Sequence, residues 1–94
     1  MANENPYAYK NVVAAETVTL RGGANLPPGV LGIVCVNTAG TGTIQIFDNT
    51  AASGTLVANI TATVVGYYEF DAQMVIGLTY IRSAGDGNIT ISYR

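Results

Sequence analysis

The feature that most constrains this chain is the period of its apolar residues. Nearly every segment alternates apolar and polar side chains, and no stretch holds the i, i+3, i+4 spacing of a helix for more than a turn. Alternation at period two puts successive side chains on opposite faces of an extended strand, so an all-β fold is expected. Leu56, Ala58, Ile60, Ala62 and Val64 fall on one face of their segment, and Thr55, Asn59, Thr61 and Thr63 among the residues of the other. By the same pattern Tyr68 and Phe70 point inward while Tyr67, Glu69 and Asp71 face out, and Val18 and Leu20 alternate with Thr17, Thr19 and Arg21. The abundance of Val, Ile and Thr agrees, because β-branched side chains pack well on a pleated surface.

Strands are expected at 12–21, 29–37, 42–48, 55–65, 66–72, 74–82 and 88–94. Between them lie turn formers: Gly22-Gly23, Pro27-Pro28-Gly29, Ala39-Gly40-Thr41-Gly42, Ser53-Gly54 and Gly85-Asp86-Gly87. Short strands with such punctuation suit a sandwich or a small barrel. We expect an antiparallel β-sandwich, jelly-roll or immunoglobulin-like, of about seven to eight strands.

The chain also resembles itself at an offset of 45 residues. Val30-Leu31-Gly32-Ile33 aligns with Val75-Ile76-Gly77-Leu78, and Thr38-Ala39-Gly40-Thr41-Gly42-Thr43-Ile44-Gln45-Ile46 with Ser83-Ala84-Gly85-Asp86-Gly87-Asn88-Ile89-Thr90-Ile91. Each copy reads as strand, glycine turn, strand. This predicts two pseudo-equivalent hairpins, about 29–48 and 74–94, with Gly32 and Gly77 marking bulges or close backbone approaches.

With 94 residues there is room for one domain, read as an N-terminal arm over 1–10 and a β domain over 11–94. Charged residues are only 11% of it, and the net charge is −2. Lys10, Arg21, Arg82 and Arg94 are the only basic residues and are scattered, which argues against nucleic acid as a partner. No apolar run approaches the roughly 18 residues of a membrane helix, and the N-terminus lacks the pattern of a secretory signal, so a chain retained in the cytosol is expected.

Chemistry is sparse. With no histidine, Ser-His-Asp and Cys-His catalysis and imidazole metal sites are excluded. Cys35 has no partner and, within Val34-Cys35-Val36, reads as a small hydrophobe. Glu69 and Asp71 share one strand face but read as solvated, and Asp48-Asn49-Thr50 and Asp86-Gly87-Asn88 read as Asx turns rather than calcium loops. The expectation is a protein without catalytic, metal or cofactor-binding residues. Tyr67, Tyr68, Tyr80 and Tyr93 suit a core rim, with sugar stacking or a subunit interface as alternatives. Tyr7 and Tyr9 lie in the polar arm with Lys10, where they could dock along a neighbour's sheet.

The stretches Gly29-Val30-Leu31-Gly32-Ile33, Asn37-Thr38-Ala39-Gly40-Thr41-Gly42, Phe47-Asp48-Asn49-Thr50 and Gly87-Asn88-Ile89-Thr90-Ile91-Ser92-Tyr93-Arg94 resemble small virion structural proteins of tailed bacteriophages, of the capsid decoration (cement) or head-fibre type. The resemblance covers about two thirds of the chain and rests on turn and strand motifs. It implies a structural subunit, commonly a homotrimer, seated on the outer capsid surface of a virion assembled in the host bacterial cytoplasm, with the major capsid protein as partner. An alternative within that resemblance is a tail or fibre module that binds host surface carbohydrate. The apolar residues on both faces of the strand from Val30 to Val36 suit a subunit or capsid contact. The interface candidates are Tyr7, Tyr9, Lys10, Leu31, Ile33 and Tyr67.

Overall fold

The computed structural model describes residues 7–23 and 26–94 and contains, among them, eight strands and no helix. The strands are β1 (Ala8–Val12), β2 (Glu16–Arg21), β3 (Val30–Thr38), β4 (Thr43–Asp48), β5 (Thr55–Thr61), β6 (Gly66–Gln73), β7 (Leu78–Arg82) and β8 (Asn88–Tyr93). They form two four-stranded antiparallel sheets, one in the order β1-β8-β3-β6 and the other in the order β2-β7-β4-β5. Only β4 and β5 are neighbours both in sequence and within a sheet; every other connection carries the chain between sheets. That is the jelly-roll arrangement of a β-sandwich, whereas an immunoglobulin-like one pairs successive strands within its sheets several times.

The inward faces meet in a core built from Val12, Leu31, Val34, Val36, Ile89 and Ile91 on the first sheet and Ile44, Ile46, Ala58, Ile60, Leu78 and Tyr80 on the second. Thr, Asn, Gln and Ser fill much of the outward positions, as the alternation requires.

Several boundaries differ from the sequence reading, each for a local reason. The segment expected as one strand over 12–21 is two, because Val13-Ala14-Ala15 takes the chain from one sheet to the other. Ala8, Tyr9 and Lys10, read as part of an arm, belong to β1 and pair with β8; residues 1–6 of that arm lie outside the described residues. The segment expected as a strand over 74–82 is extended only from Leu78, since Met74–Gly77 forms a loop held by Asp48. In β5, a register shift leaves Val57 as the extra residue opposite Ile46 and Phe47. It turns Val57 toward the core and Leu56 outward, while Val64 lies beyond the strand end and is exposed. Cys35 alternates with the buried Val34 and Val36, so it lies on the outer face, where its thiol donates to Asn37 Oδ1 at 3.2 Å. Tyr68 lies opposite the buried Val34 on the inward face but stays 39% exposed, because β6 is an edge strand.

The 45-residue repeat is real in the strand order but is not a pair of hairpins. β3 and β4 lie in different sheets, as do β7 and β8, so each copy is an arch across the sandwich. Each strand of one arch pairs with a strand of the other: β3 with β8 and β4 with β7. Shifting β1–β4 onto β5–β8 turns one sheet order into the other read backwards, which makes the relation a pseudo-twofold. At the turns, the equivalent Gly42 and Gly87 have φ of 72° and 76°, a region open to Gly because it has no Cβ. A register shift between Val36 and Thr38 has no counterpart in β7, so Arg82 rather than Ile81 occupies the inward place that Val36 holds in β3. The sequence match therefore breaks between the two well-aligned blocks.

Candidate functional site

The six interface candidates are not brought together as one patch. Leu31 is fully buried in the core and cannot contribute to a contact surface of the folded domain. The apolar run of β3 has two faces because the bulge at Gly32 interrupts the alternation: Leu31, Val34 and Val36 turn inward, and Ile33 lies half-buried on the outer face. Lys10 shares the parity of Val12 and is half-buried, with Nζ 3.9 Å from the Glu16 carboxylate of β2. That ion pair bridges the two sheets along the β1/β2 side. Tyr9 and Tyr67 are the most exposed rings, at 72% and 66%. They sit on opposite edge strands of one sheet with β8 and β3 between them, separated across the sheet by roughly 14 Å at about 4.8 Å per strand spacing and offset by two residues along it.

Tyr7 docks on its own domain. Its hydroxyl donates to Asp71 Oδ1 at 3.1 Å, and the Arg94 guanidinium lies 4.9 Å from its ring centroid. The ring rests on Gly32, where a Cβ would collide with it. Gly32 thus marks a close approach of a side chain to the backbone, and Gly77 is matched by the carbonyls of Arg21 and Asn49 at 2.9 Å from where its Cβ would be. Beside Tyr7 an open groove of about 640 Å³ is lined by Gly32, Ile33, Glu69, Phe70 and Asp71. Asp71 sits at φ 49°, a conformation Asp tolerates better than most residues.

The end of the sandwich opposite the Gly42 and Gly87 turns carries a feature the sequence reading missed. Val75 and Ile76, at the tip of the β6–β7 loop, are 77% and 55% exposed. Asp48, at the end of β4, fixes this tip. Its Oδ1 accepts from the backbone N–H groups of Val75, Ile76 and Gly77 at 3.0, 2.8 and 3.2 Å, and its Oδ2 accepts from Val75. Partial desolvation pushes the Asp48 pKa up, but the N–H bonds from Ile76, Val75 and Gly77 together outweigh it and hold the carboxyl below its ordinary value. Gly22 also packs against Ile76 and Gly77, which brings the β2–β3 connection, with exposed Leu26, to the same end. In the sequence, Val75 and Ile76 continue the pattern of a strand; only the distant carboxylate of Asp48 turns them outward as a loop.

Both Asx turns have their carboxylates engaged within the fold. Asp48 is used by the tip, and Asp86 accepts from the Thr41 N–H and hydroxyl at 3.1 and 3.0 Å. Those Thr41 bonds, with the nearby Arg82 charge, hold the Asp86 carboxyl below its usual range despite slight desolvation. Among the described residues no group of His, Cys, Asp and Glu is arranged to hold a metal ion. Comparison of the chain with protein families, with curated proteins and with solved structures found no match.

Proposed function

We propose that this protein is a non-enzymatic structural component of a phage virion, a decoration protein that binds the outer surface of the capsid and stabilises it. The observation that carries this reading is the apolar tip at Val75 and Ile76, held in one conformation by Asp48. A fixed apolar projection loses little conformational freedom when it enters a pocket on a partner, so more of its burial appears as affinity. The surrounding surface supports the same reading. Threonine, asparagine and serine side chains on both outer faces are short, and ordering them against protein costs less entropy than ordering Lys, Arg or Glu. The jelly-roll strand order suits the reading, since capsid proteins use this fold, but so do lectins and cupins.

The test is co-sedimentation with purified capsids that lack the protein. The doubly substituted Val75→Ser, Ile76→Ser chain should bind at least about tenfold more weakly, the loss of roughly 1.4 kcal/mol, while keeping its melting temperature. Unchanged binding would remove the tip from the contact. Substituting Tyr7 by Ala tests the arm separately, and it is preferable to deleting residues 1–10, which would also remove three of the five residues of β1. Carbohydrate binding draws support from the exposure of Tyr9 and Tyr67. Their separation across the sheet means each ring would have to stack on a different sugar, and a glycan array reads this out directly.

A further inference from the structure

The sandwich has four edge strands, β1 and β6 in one sheet and β2 and β5 in the other. An unprotected edge presents free N–H and C=O groups to any passing strand, and folded proteins usually blunt it with charge, bulges or short length. Three of these edges carry charged residues. β1 is only 5 residues long and carries the inward-turned Lys10. β2 carries Glu16 and Arg21 and shifts register between Thr19 and Arg21. β6 carries Glu69 and Asp71, the latter at positive φ.

β5 differs. No charged residue occurs anywhere from Asn49 to Tyr68, a span that holds the whole of β5, its connection to β6 and the start of β6. The bulge at Val57 bends one end of β5, and the straight part runs from Ala58 to Thr61. Ala62 N–H donates to Gly42 O at 2.9 Å, and Ile44 faces Ile60 in the same register. By the alternation of an antiparallel ladder, the backbone groups of Ile60 and Ala58 therefore turn toward β4, and those of Asn59 and Thr61 turn away from it.

We propose that β5 is the edge through which two copies of this chain pair, antiparallel about a twofold axis near Ile60, joining the β2-β7-β4-β5 sheets of both into one. Charge is the discriminating argument. An isologous contact sets each surface against its own copy, so Lys10 of β1 and Glu69 and Asp71 of β6 would meet like charge, while β2, with Glu16 and Arg21 of opposite sign, is interrupted by its register shift; β5 alone of the four edges carries no charge. In this register Asn59 of one copy faces Thr61 of the other, exchanging main-chain hydrogen bonds with neutral side chains alongside. Val64 and Val65, 62% and 61% exposed in the β5–β6 connection, add apolar surface just past the end of β5. The pairing goes beyond the decoration reading and does not depend on it, because it concerns the free chain in solution.

The experiment measures the mass of the full chain by analytical ultracentrifugation over a range of micromolar concentrations. A dimer is expected. Thr61→Lys puts a lysine of each copy diagonally across the seam from the other and should raise the dissociation constant at least about tenfold. Thr17→Lys, the same change on the same outer face but on β2, should leave the dimer intact. Asn59→Lys repeats the test at a second seam position should Thr61→Lys fail to fold by circular dichroism. A wild-type chain that is monomeric throughout, or the trimer that the resemblance to decoration proteins implies, would overturn the proposal. So would a dimer that survives both seam substitutions, or one that Thr17→Lys dissociates equally.

Discussion

Asp48 shows how much one side chain can organise at this scale. It accepts from three consecutive N–H groups of a loop 27 to 29 residues away, so the conformation of Val75 and Ile76 depends on its charge. Because its folded pKa lies below the unfolded value of about 3.9, the stability it contributes is complete above that value. It is lost as pH falls through the folded pKa. Asp48→Asn should therefore flatten the acid side of the pH–stability profile and raise amide exchange at Val75, Ile76 and Gly77, with little change in β8. Equal exchange in the variant and the wild type would mean the loop holds its shape unaided. Arg82 is the second such residue, 2% exposed at the end of the core. Its Nη1 donates to the carbonyls of Thr41 and Thr43 and its Nη2 to that of Asp86, so it ties the two pseudo-equivalent turns together. Arg82→Met keeps the stem but leaves those carbonyls without their donor, and denaturant unfolding should show a loss of about 3 kcal/mol.

At the scale of elements, the turns carry the strictest demands. Gly87 has φ 76°, and a Cβ there would lie 2.7 Å from Thr38 O. Gly66, at the start of β6, has open space around it. Gly87→Ala should cost about 1–3 kcal/mol, whereas Gly66→Ala should be neutral or slightly stabilising; thermal melts of the pair check this. These elements also show what was legible in the sequence. Alternation located the strands, and glycines located the turns, because both are properties of neighbouring residues. The strand breaks at Val13-Ala14-Ala15 and Met74-Val75-Ile76-Gly77 were hidden, since their causes are a change of sheet and the Asp48 carboxylate. The exposure of Leu56 depended on a bulge, which shifts the face of every residue beyond it without altering the pattern of residue types. The repeat was visible as sequence, but whether each copy folds back on itself or spans the sandwich depends on contacts between copies. For the candidate site, Tyr67 was legible as an aromatic residue on an outward position and Tyr9 only as part of an arm, whereas the apolar tip was not legible, because Val75 and Ile76 look like core.

At the scale of the molecule, the two sides of the sandwich are unlike. The β1/β2 side is closed by Lys10 and Glu16, with Tyr80 donating to the same Glu16 carboxylate at 2.5 Å, while the β5/β6 side is neutral from Asn49 to Tyr68. Lys10→Ala should therefore leave capsid binding unchanged while opening the β1/β2 side, seen as faster exchange in β1. Weakened binding would place that side in the contact. The exchange of partners between the arches has a consequence for how the molecule comes into being. β8, at Asn88–Tyr93, sits between β1 and β3, two strands that emerge from the ribosome long before it. Until that strand is synthesised, the first sheet lacks a central member and β1 has no strand to pair with. The first sheet is therefore completed, and β1 paired, only after β8 has emerged.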